Sequence, residues 1–407
     1  MLYQFKPWMA VLLLAATPKL QADACKNKTP SYNQGHEASS CDMGSAYSAP
    51  ACIVLEDESF DLYGTASFIY WQARQENMEI GLISKNDAEF FAPPLVGNDP
   101  FDTAYVNNMS ITSPNFTFRP GFKIGIGARL GWDGWDAFAE YTRFHQTISS
   151  GVRSLPRSTA PLGSNHPNGE YLYPILGHPS ADSSLLSTFS GLPYFFNNAN
   201  QSWTLKMDFV DLSLARAYYS GTKLTVRPFL GVRGAWIRQN LTTSYNGTPV
   251  YLVSQGQRNT RVSTFYSSWG IGPRAGFESN WLIGRGFRFI GNGAADILYT
   301  RYHLHSGQKS YDLTPTPGDN PIDANYTVSQ EIDYLRTHLD FEMGFGWGTY
   351  FDHNRYHVDL SATYGFQAFW GQNMFRNFEN IDAPAVSFAP NGDLFVHGLT
   401  ASARFDF

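Results

Sequence analysis

Cysteine and long apolar stretches are both scarce in this chain. Only three of its 407 residues are cysteine. The longest apolar run, "WMAVLLLAAT" from Trp8 to Thr17, has about half of the roughly 20 residues that a membrane-spanning helix needs, which excludes a helical membrane protein. Basic charge is also limited, since 29 Lys and Arg stand against 35 Asp and Glu. We therefore expect no nucleic-acid partner.

The start of the chain has the pattern of an export signal. Lys6 precedes the apolar run, and "ADA" (residues 22–24) follows it with the small-x-small pattern of a signal-peptidase site. We predict a signal peptide over residues 1–24 and an N-terminal segment over 25–58 that lies in the periplasm or plugs the rest of the protein. Cys25, Cys41 and Cys52 all fall in this segment, in an oxidising compartment. Because three is odd, either a thiol is left free beside one local disulfide, or disulfides link neighbouring chains.

Aromatic residues and glycine are abundant instead. Phe, Trp and Tyr make up 16% of the chain and glycine occurs 36 times, which favours strands over leucine-rich helices. In "RYHVDLSATYGFQAFW", every second residue from Tyr356 to Trp370 is apolar, while polar residues and glycine fill the other positions from His357 to Gln367. Such alternation gives a strand one apolar and one polar face. Several runs last about twice the usual five or six residues, as tilted membrane strands require.

Ten segments with this alternation are joined by links of two kinds. The segments are 60–75, 117–130, 134–147, 202–218, 222–240, 261–282, 286–304, 331–350, 355–370 and 393–407. Tight links such as "GWDG" and "IGRG" alternate with long ones rich in Pro, Ser, Asn and Gly. This predicts an all-β fold over residues 59–407: a transmembrane antiparallel β-barrel of about ten strands, with short periplasmic turns and long extracellular loops. Twelve strands are the alternative, if "AYVNNMSITSPNF" hides a further hairpin.

The C-terminal segment "ASARFDF" alternates to its last residue. Phe405 and Phe407 share the apolar face, opposite Arg404 and Asp406. A final strand that ends in Phe resembles the signal read by the barrel-insertion machinery of Gram-negative bacteria. We therefore expect Phe405 and Phe407 to act as an insertion signal and the protein to reside in the bacterial outer membrane, in contact with its lipid and lipopolysaccharide.

Several stretches resemble a known family. They are "LYGTASFIYWQARQENMEIGL", "RPGFKIGIGARLGWDGWDAFAEYTRFH", "DFVDLSLARAYYSGTKLTVRPFLGVRGAWI", "SSWGIGPRAGFESNWLIGRGFRFIGNGAADILY" and the C-terminal strand. In this order they are similar to the Legionella-type pore-forming, major-outer-membrane-protein-like family, which also occurs in chlamydia-related bacteria. The resemblance implies a pore-forming barrel without catalytic residues or cofactors.

With the apolar face turned to lipid, charged residues of both signs point into the barrel. The candidate pore-lining residues are Lys123, Arg129, Arg227, Arg233, Arg274, Glu278, Arg288, Asp296, Arg336, Asp340, Glu342, Asp359 and Arg404. Such charges select solutes in a porin that passes ions and small hydrophilic solutes by diffusion. Alternatively they neutralise one another and fill a narrow, non-conducting barrel, whose long loops bind host or envelope partners.

Two further groups of residues have more than one interpretation. "RYHLH" places His303 and His305 opposite Glu331 and Asp333. These residues could form the active site of a hydrolase at the barrel rim or bind a metal ion, or they could simply be polar residues beside a loop. Aromatic residues near the strand ends fit the two interfacial girdles of a membrane barrel. These are Trp71, Trp135, Tyr141, Trp203, Trp236, Trp281, Trp347 and Trp370.

Overall fold

The computed structural model describes most of the region after the N-terminal segment. The described residues are 61–85, 109–130, 135–152, 170–176, 196, 198–220, 223–247, 258–312, 325–351, 356–375, 377–378, 387–388 and 392–407. The predicted signal peptide, the segment 25–58 and the three cysteines lie outside them. Within these ranges, no helix is long and apolar enough to cross a membrane.

Ten long strands form a closed antiparallel ring, which confirms the predicted barrel and its strand number. They are β1 (Asp61–Gln75), β4 (Arg119–Arg129), β5 (Trp135–Val152), β7 (Asn198–Arg216), β9 (Leu224–Gly247), β10 (Arg258–Gly284), β11 (Phe287–Asp312), β12 (Asn325–Phe351), β13 (Tyr356–Phe369) and β16 (Leu394–Asp406). Each pairs with the next in this order, and β16 pairs with β1 to close the ring.

Short strands lie beside the ring. β2 (Gly81–Lys85), β3 (Met109–Thr112) and β6 (Glu170–Pro174) form a separate three-stranded sheet, β8 (Tyr218–Ser220) pairs with the start of β9, and β14 (Asn377–Phe378) pairs with β15 (Ser387–Phe388). The stretch suspected of hiding a further hairpin contributes β3, which pairs only with β2. The twelve-strand alternative is therefore wrong for the ring.

The link between β10 and β11 is a two-residue hairpin turn. Gly284 pairs with Phe287, so only Arg285 and Gly286 turn the chain. Both have positive φ, 53° and 82°, as a two-residue type I′ hairpin requires. A glycine supplies one of these conformations without steric cost.

The outward faces of the strands form an apolar belt. Leu230, Leu335 and Phe345 expose 70%, 72% and 62% of their surface, whereas their strand neighbours point inward. On β11 the belt runs from Phe287 to Tyr299, about 40 Å along the strand. At a tilt of about 45° this is about 28 Å of height, close to the apolar band of outer-membrane barrels. β10 to β12 continue well beyond the belt, toward the long links.

Candidate functional site

The barrel interior is identified by contacts between strands that are not neighbours in the ring, because such contacts must cross it. Lys123 Nζ on β4 lies 3.4 Å from Glu342 Oε1 on β12, although three strands separate them. Arg233 Nη1 on β9 lies 2.9 Å from His338 Nδ1 on β12, with two strands between. The polar faces therefore meet inside the barrel, and the apolar faces meet lipid.

Two sets of ion pairs cross the interior, and we call them together the charge layer. Its members are Lys123, Glu140, Asp211, Arg233, Arg274, Asp296, Asp340 and Glu342. Arg233 donates to Asp211 at 2.6 and 2.7 Å and to Asp296 at 3.2 Å. Arg274 donates to the same Asp296 oxygen at 2.8 Å and to Asp340 at 3.0 Å. The layer thus holds three cations and five carboxylates, a formal charge of −2.

His338 lies within the charge layer. Its Nδ1 is 2.9 Å from Asp296 Oδ2, and its ring stacks on Phe369 at 4.0 Å between centroids. The side chain is almost fully buried, and its Nε2 has no hydrogen-bond partner among the described residues. The histidine therefore contacts the charge layer through Nδ1 and an apolar side chain, Phe369, through its ring.

Between the charge layer and the short links lies a polar cavity of about 240 Å³, which we call the inner chamber. Its wall includes Lys123, Glu140, Arg227, Glu278, Arg288, Glu342, Asp359 and Arg404, with hydroxyl groups such as Ser67, Ser361 and Ser402. Here too the charges are paired: Arg227 with Asp136 and Glu278, Arg288 with Asp359, and Arg404 and Arg129 with Asp406. The chamber wall is thus polar but electrostatically balanced.

On the other side of the charge layer the interior is filled with apolar side chains, which we call the outer core. Ring strands contribute Ile69, Trp71, Phe144, Trp203, Leu205, Met207, Phe209, Ile237, Tyr266 and Phe369, among others. Trp71 and Trp203 were expected in the lipid-facing girdles, and that prediction is wrong. They expose 2% and 0%, and their indole groups donate to Thr400 Oγ1 and Gln239 Oε1 inside the barrel.

Two irregular stretches enter the outer core. These plug segments are Glu76–Ile80, which follows β1, and Gly371–Phe375, which follows β13. Asn373 joins them, since its Nδ2 donates to Glu76 O at 2.7 Å. Tyr266 and Tyr302 hold the second segment by donating to Gln372 O and Oε1, at 2.7 and 2.9 Å. Hydrogen bonds from side chains, and apolar contacts, therefore hold the plug segments in the barrel.

The structure brings eleven of the thirteen candidate pore-lining residues into the charge layer or the wall of the inner chamber. Arg129 pairs with Asp406 at 3.6 Å. Arg336 points inward but lies in the outer core, with its guanidinium 4.4 Å from the Tyr334 ring and its Nη2 3.0 Å from Met374 Sδ. Sequence reasoning missed Asp211, although it lies in the inward register of β7. Strict alternation from Phe209 would have found it.

The histidines of "RYHLH" lie on the outside of the barrel. His303 Nδ1 is 3.0 Å from Glu331 Oε1, and His305 Nδ1 is 3.0 Å from Ser329 Oγ. In the part of the chain that the structure describes, no group of three or more His, Cys, Asp or Glu is placed to hold a metal ion. Arg301 and Asp333 form a second pair beside them, at 2.8 Å.

Solved structures with some likeness to this chain are outer-membrane proteins. The Pseudomonas putida toluene transporter TodX is 8% identical, with 86% of this chain and 90% of that chain covered and a TM-score of 0.24. A Pseudomonas aeruginosa FadL homologue is 7% identical, with the same coverage and a TM-score of 0.25. These scores are too low to support any inference about the solute or function of this chain. No curated protein matches it.

The family comparison covers nearly the whole region that the barrel occupies. The model described as Legionella pneumophila major outer membrane protein precursor matches residues 55–407, from just before β1 to the last residue of the chain. The closed ring and the apolar belt agree with a location in the outer membrane. The chain belongs to the Legionella major outer membrane protein family, as a ten-stranded barrel of the outer membrane.

Proposed function

We propose that this protein is a passive channel for ions and small hydrophilic solutes, and that the plug segments close its outer end in the conformation described above. The observation that carries the proposal is the polar inner chamber, which lies within the section of the barrel surrounded by the apolar belt. A purely structural barrel of this width would have no need of a polar cavity at that depth.

The dimensions limit what such a channel passes. A cavity of about 240 Å³ has room for a cluster of water molecules or one small solute. Solutes must also pass the charge layer, where carboxylates outnumber cations by five to three. We therefore expect a small conductance with a preference for cations.

The plug segments are the part of the interior that can move without opening the ring. Neither segment belongs to a ring strand, so displacing them breaks no strand pairing. Asn373 joins the two segments, since its Nδ2 donates to Glu76 O at 2.7 Å and to Asn77 O at 3.4 Å. Its Oδ1 also accepts from Phe375 N at 2.9 Å within the second segment. Asn373→Ala removes its side-chain contacts and should favour displacement of the plug.

The test is single-channel conductance of the refolded protein in planar bilayers. We expect rare, small, cation-preferring steps for the unmodified chain and more frequent or larger steps for Asn373→Ala. The matched control is Trp370→Ala, because this neighbour of the second plug segment is exposed on the outer surface. Correctly folded barrels that stay silent in all three forms would refute the channel.

The outer core favours a second candidate, a non-conducting surface barrel whose long loops bind host or envelope partners. Its packed apolar and aromatic side chains occupy the described interior on the outer side of the charge layer. The same recordings separate the two functions, because a structural barrel stays silent even when Asn373 is replaced.

A further inference from the structure

A cationic band encircles part of the outer surface just beyond the apolar belt. Its members point outward from β5, β7, β9 and β11: they are the cations Arg143, Lys206, Arg238 and Arg301, with the imidazoles of His145 and His303 beside them. The carboxylates on the same face are Asp208, Glu331 and Asp333. The chain as a whole carries a net charge of −6, so a local excess of positive charge here runs against its overall composition.

At the centre of the band two cations face each other. Lys206 on β7 pairs directly with Arg238 on β9, and both side chains are exposed. Like charges directly opposite on neighbouring strands destabilise a sheet. Among the described residues neither side chain has an ion-pair partner. Asp208, two residues along the same face of β7, instead accepts from Tyr141 OH at 2.8 Å and contacts His145 Nε2 at 3.1 Å.

The Lys206–Arg238 pair lies at the height where lipid headgroups begin. Trp236 pairs with Trp269 across β9 and β10, and both indoles are exposed at the end of the apolar belt, as interfacial tryptophans are. Arg238 is the next outward residue after Trp236, about 7 Å farther along the strand. An anion bound by the pair would therefore lie directly beyond the acyl chains.

Beyond the cationic band, the same two strands carry uncharged polar pairs. Thr204 faces Asn240, Ser202 faces Thr242, and Asn200 faces Ser244, all in the outward register. Hydroxyl and amide groups of this kind both donate and accept hydrogen bonds, as sugar hydroxyl groups do. From the belt outward, β7 and β9 thus present apolar, then cationic, then hydroxyl-rich surface.

We propose that this face of β7 and β9 binds a phosphorylated glycolipid of the outer leaflet. Its acyl chains lie on the apolar belt, a phosphate group accepts hydrogen bonds from Lys206 and Arg238, and its sugars contact the polar pairs beyond. The order and spacing of the three surfaces match a lipid that carries phosphate on a sugar headgroup. A free phosphate would use only the cations, and a glycerophospholipid would leave the polar pairs unused. The proposal does not depend on whether the barrel conducts.

The experiment measures binding of bisphosphorylated lipid A to the refolded full chain in neutral detergent, by titration with native mass spectrometry. The test variant is Lys206→Gln/Arg238→Gln. The control is Lys223→Gln/Arg285→Gln, which removes two exposed cations at the opposite, short-link end. We expect the test variant to bind about 30-fold more weakly, which is about 2 kcal/mol at 1.4 kcal/mol per tenfold for two interfacial cations. The control should stay within about twofold of the unmodified chain.

A second measurement separates binding from a structural role. Without lipid A, the test variant should melt no lower than the unmodified chain, because the repulsion between the two cations is gone. With lipid A, only chains that keep both cations should gain melting temperature. If the double variant fails to fold, Lys206→Gln and Arg238→Gln are tested singly, each with an expected loss of about fivefold.

Three results would overturn the proposal. The first is equal binding by test and control variants. The second is equal binding of lipid A and of its phosphate-free form by the unmodified chain. The third is displacement of lipid A by millimolar inorganic phosphate, or equal affinity for phosphatidylglycerol, either of which would show a general anion site.

Discussion

Replacing Arg233 tests the charge layer most directly. The side chain exposes 5% and its partner Asp211 exposes 14%. Arg233→Met removes both hydrogen bonds of Asp211, at 2.6 and 2.7 Å, and leaves a largely buried carboxylate with no hydrogen-bond donor among the residues that the structure describes. Breaking a buried ion pair in this way costs about 3–5 kcal/mol. Asp296 keeps Arg274 at 2.8 Å and His338 at 2.9 Å, so most of that cost arises at Asp211.

A double-mutant cycle measures this cost. In Asp211→Leu, Arg233 still contacts Asp296 and His338. We therefore expect this variant to lower the free energy of unfolding by about 1.5–3 kcal/mol, the contribution of a charge-assisted hydrogen bond. The double variant should lose less free energy of unfolding than the two single variants together, with a coupling energy of at least about 2 kcal/mol. The reason is that an apolar pair of similar volume can replace a buried ion pair.

The assay is urea unfolding in lipid vesicles, followed by tryptophan fluorescence. Arg238→Met on the same strand is the matched control, since its exposed side chain should contribute less than about 0.5 kcal/mol in vesicles without lipid A. A cost below about 1 kcal/mol for Arg233→Met, or additive single variants, would refute the charge layer as a buried, paired network.

Three further outcomes are expected. Leu205→Ala in the outer core should destabilise the barrel more than Leu230→Ala on the lipid face in the same assay, because each loses about 2 kcal/mol of transfer free energy and only Leu205 leaves a cavity; equal values would mean that the outer core is not packed. Phe407→Ser should slow barrel assembly in cells, measured as delayed appearance of the heat-modifiable form on gels; an unchanged rate would contradict the insertion signal. Glu140→Gln/Glu342→Gln, in Asn373→Ala, should abolish the cation preference measured as reversal potential; an unchanged potential would place selectivity outside the charge layer.

Alternation predicted the membrane-embedded part of the fold well, because lipid outside and polar groups inside impose opposite chemistry on successive residues. It failed where both faces meet the same kind of environment. β11 was predicted to end at residue 304 but continues to Asp312, and β9 was predicted to end at 240 but continues to Gly247. Beyond the belt the outward residues are Asn, Thr and Ser on β9, and Arg301, His303 and His305 on β11, so the sequence there lacks an apolar outward face.

The interior was predicted only where it is charged. Arg233 and Asp340 stand out as ionic residues in an otherwise apolar pattern, and both lie in the charge layer. On β1, by contrast, Phe68 and Ile69 are both apolar, yet Phe68 is 55% exposed to lipid and Ile69 is fully buried inside. No local pattern separates two such faces. The outer core also depends on plug segments whose partners lie far away along the chain.

The pairing of β16 with β1 closes the ring and joins its two most distant strands in the sequence. Tyr63 pairs with Asp406, whereas every other neighbouring pair in the ring joins consecutive ring strands. Closing a loop of roughly 340 residues costs about 5 kcal/mol in chain entropy. Until it closes, Lys123 on β4 and Glu342 on β12 have no shared interior in which to meet. Pairs between neighbouring strands, such as Lys123–Glu140 and Arg233–Asp211, can form before closure. Ring closure therefore completes the charge layer, because Glu342 on an open sheet still lacks its lysine.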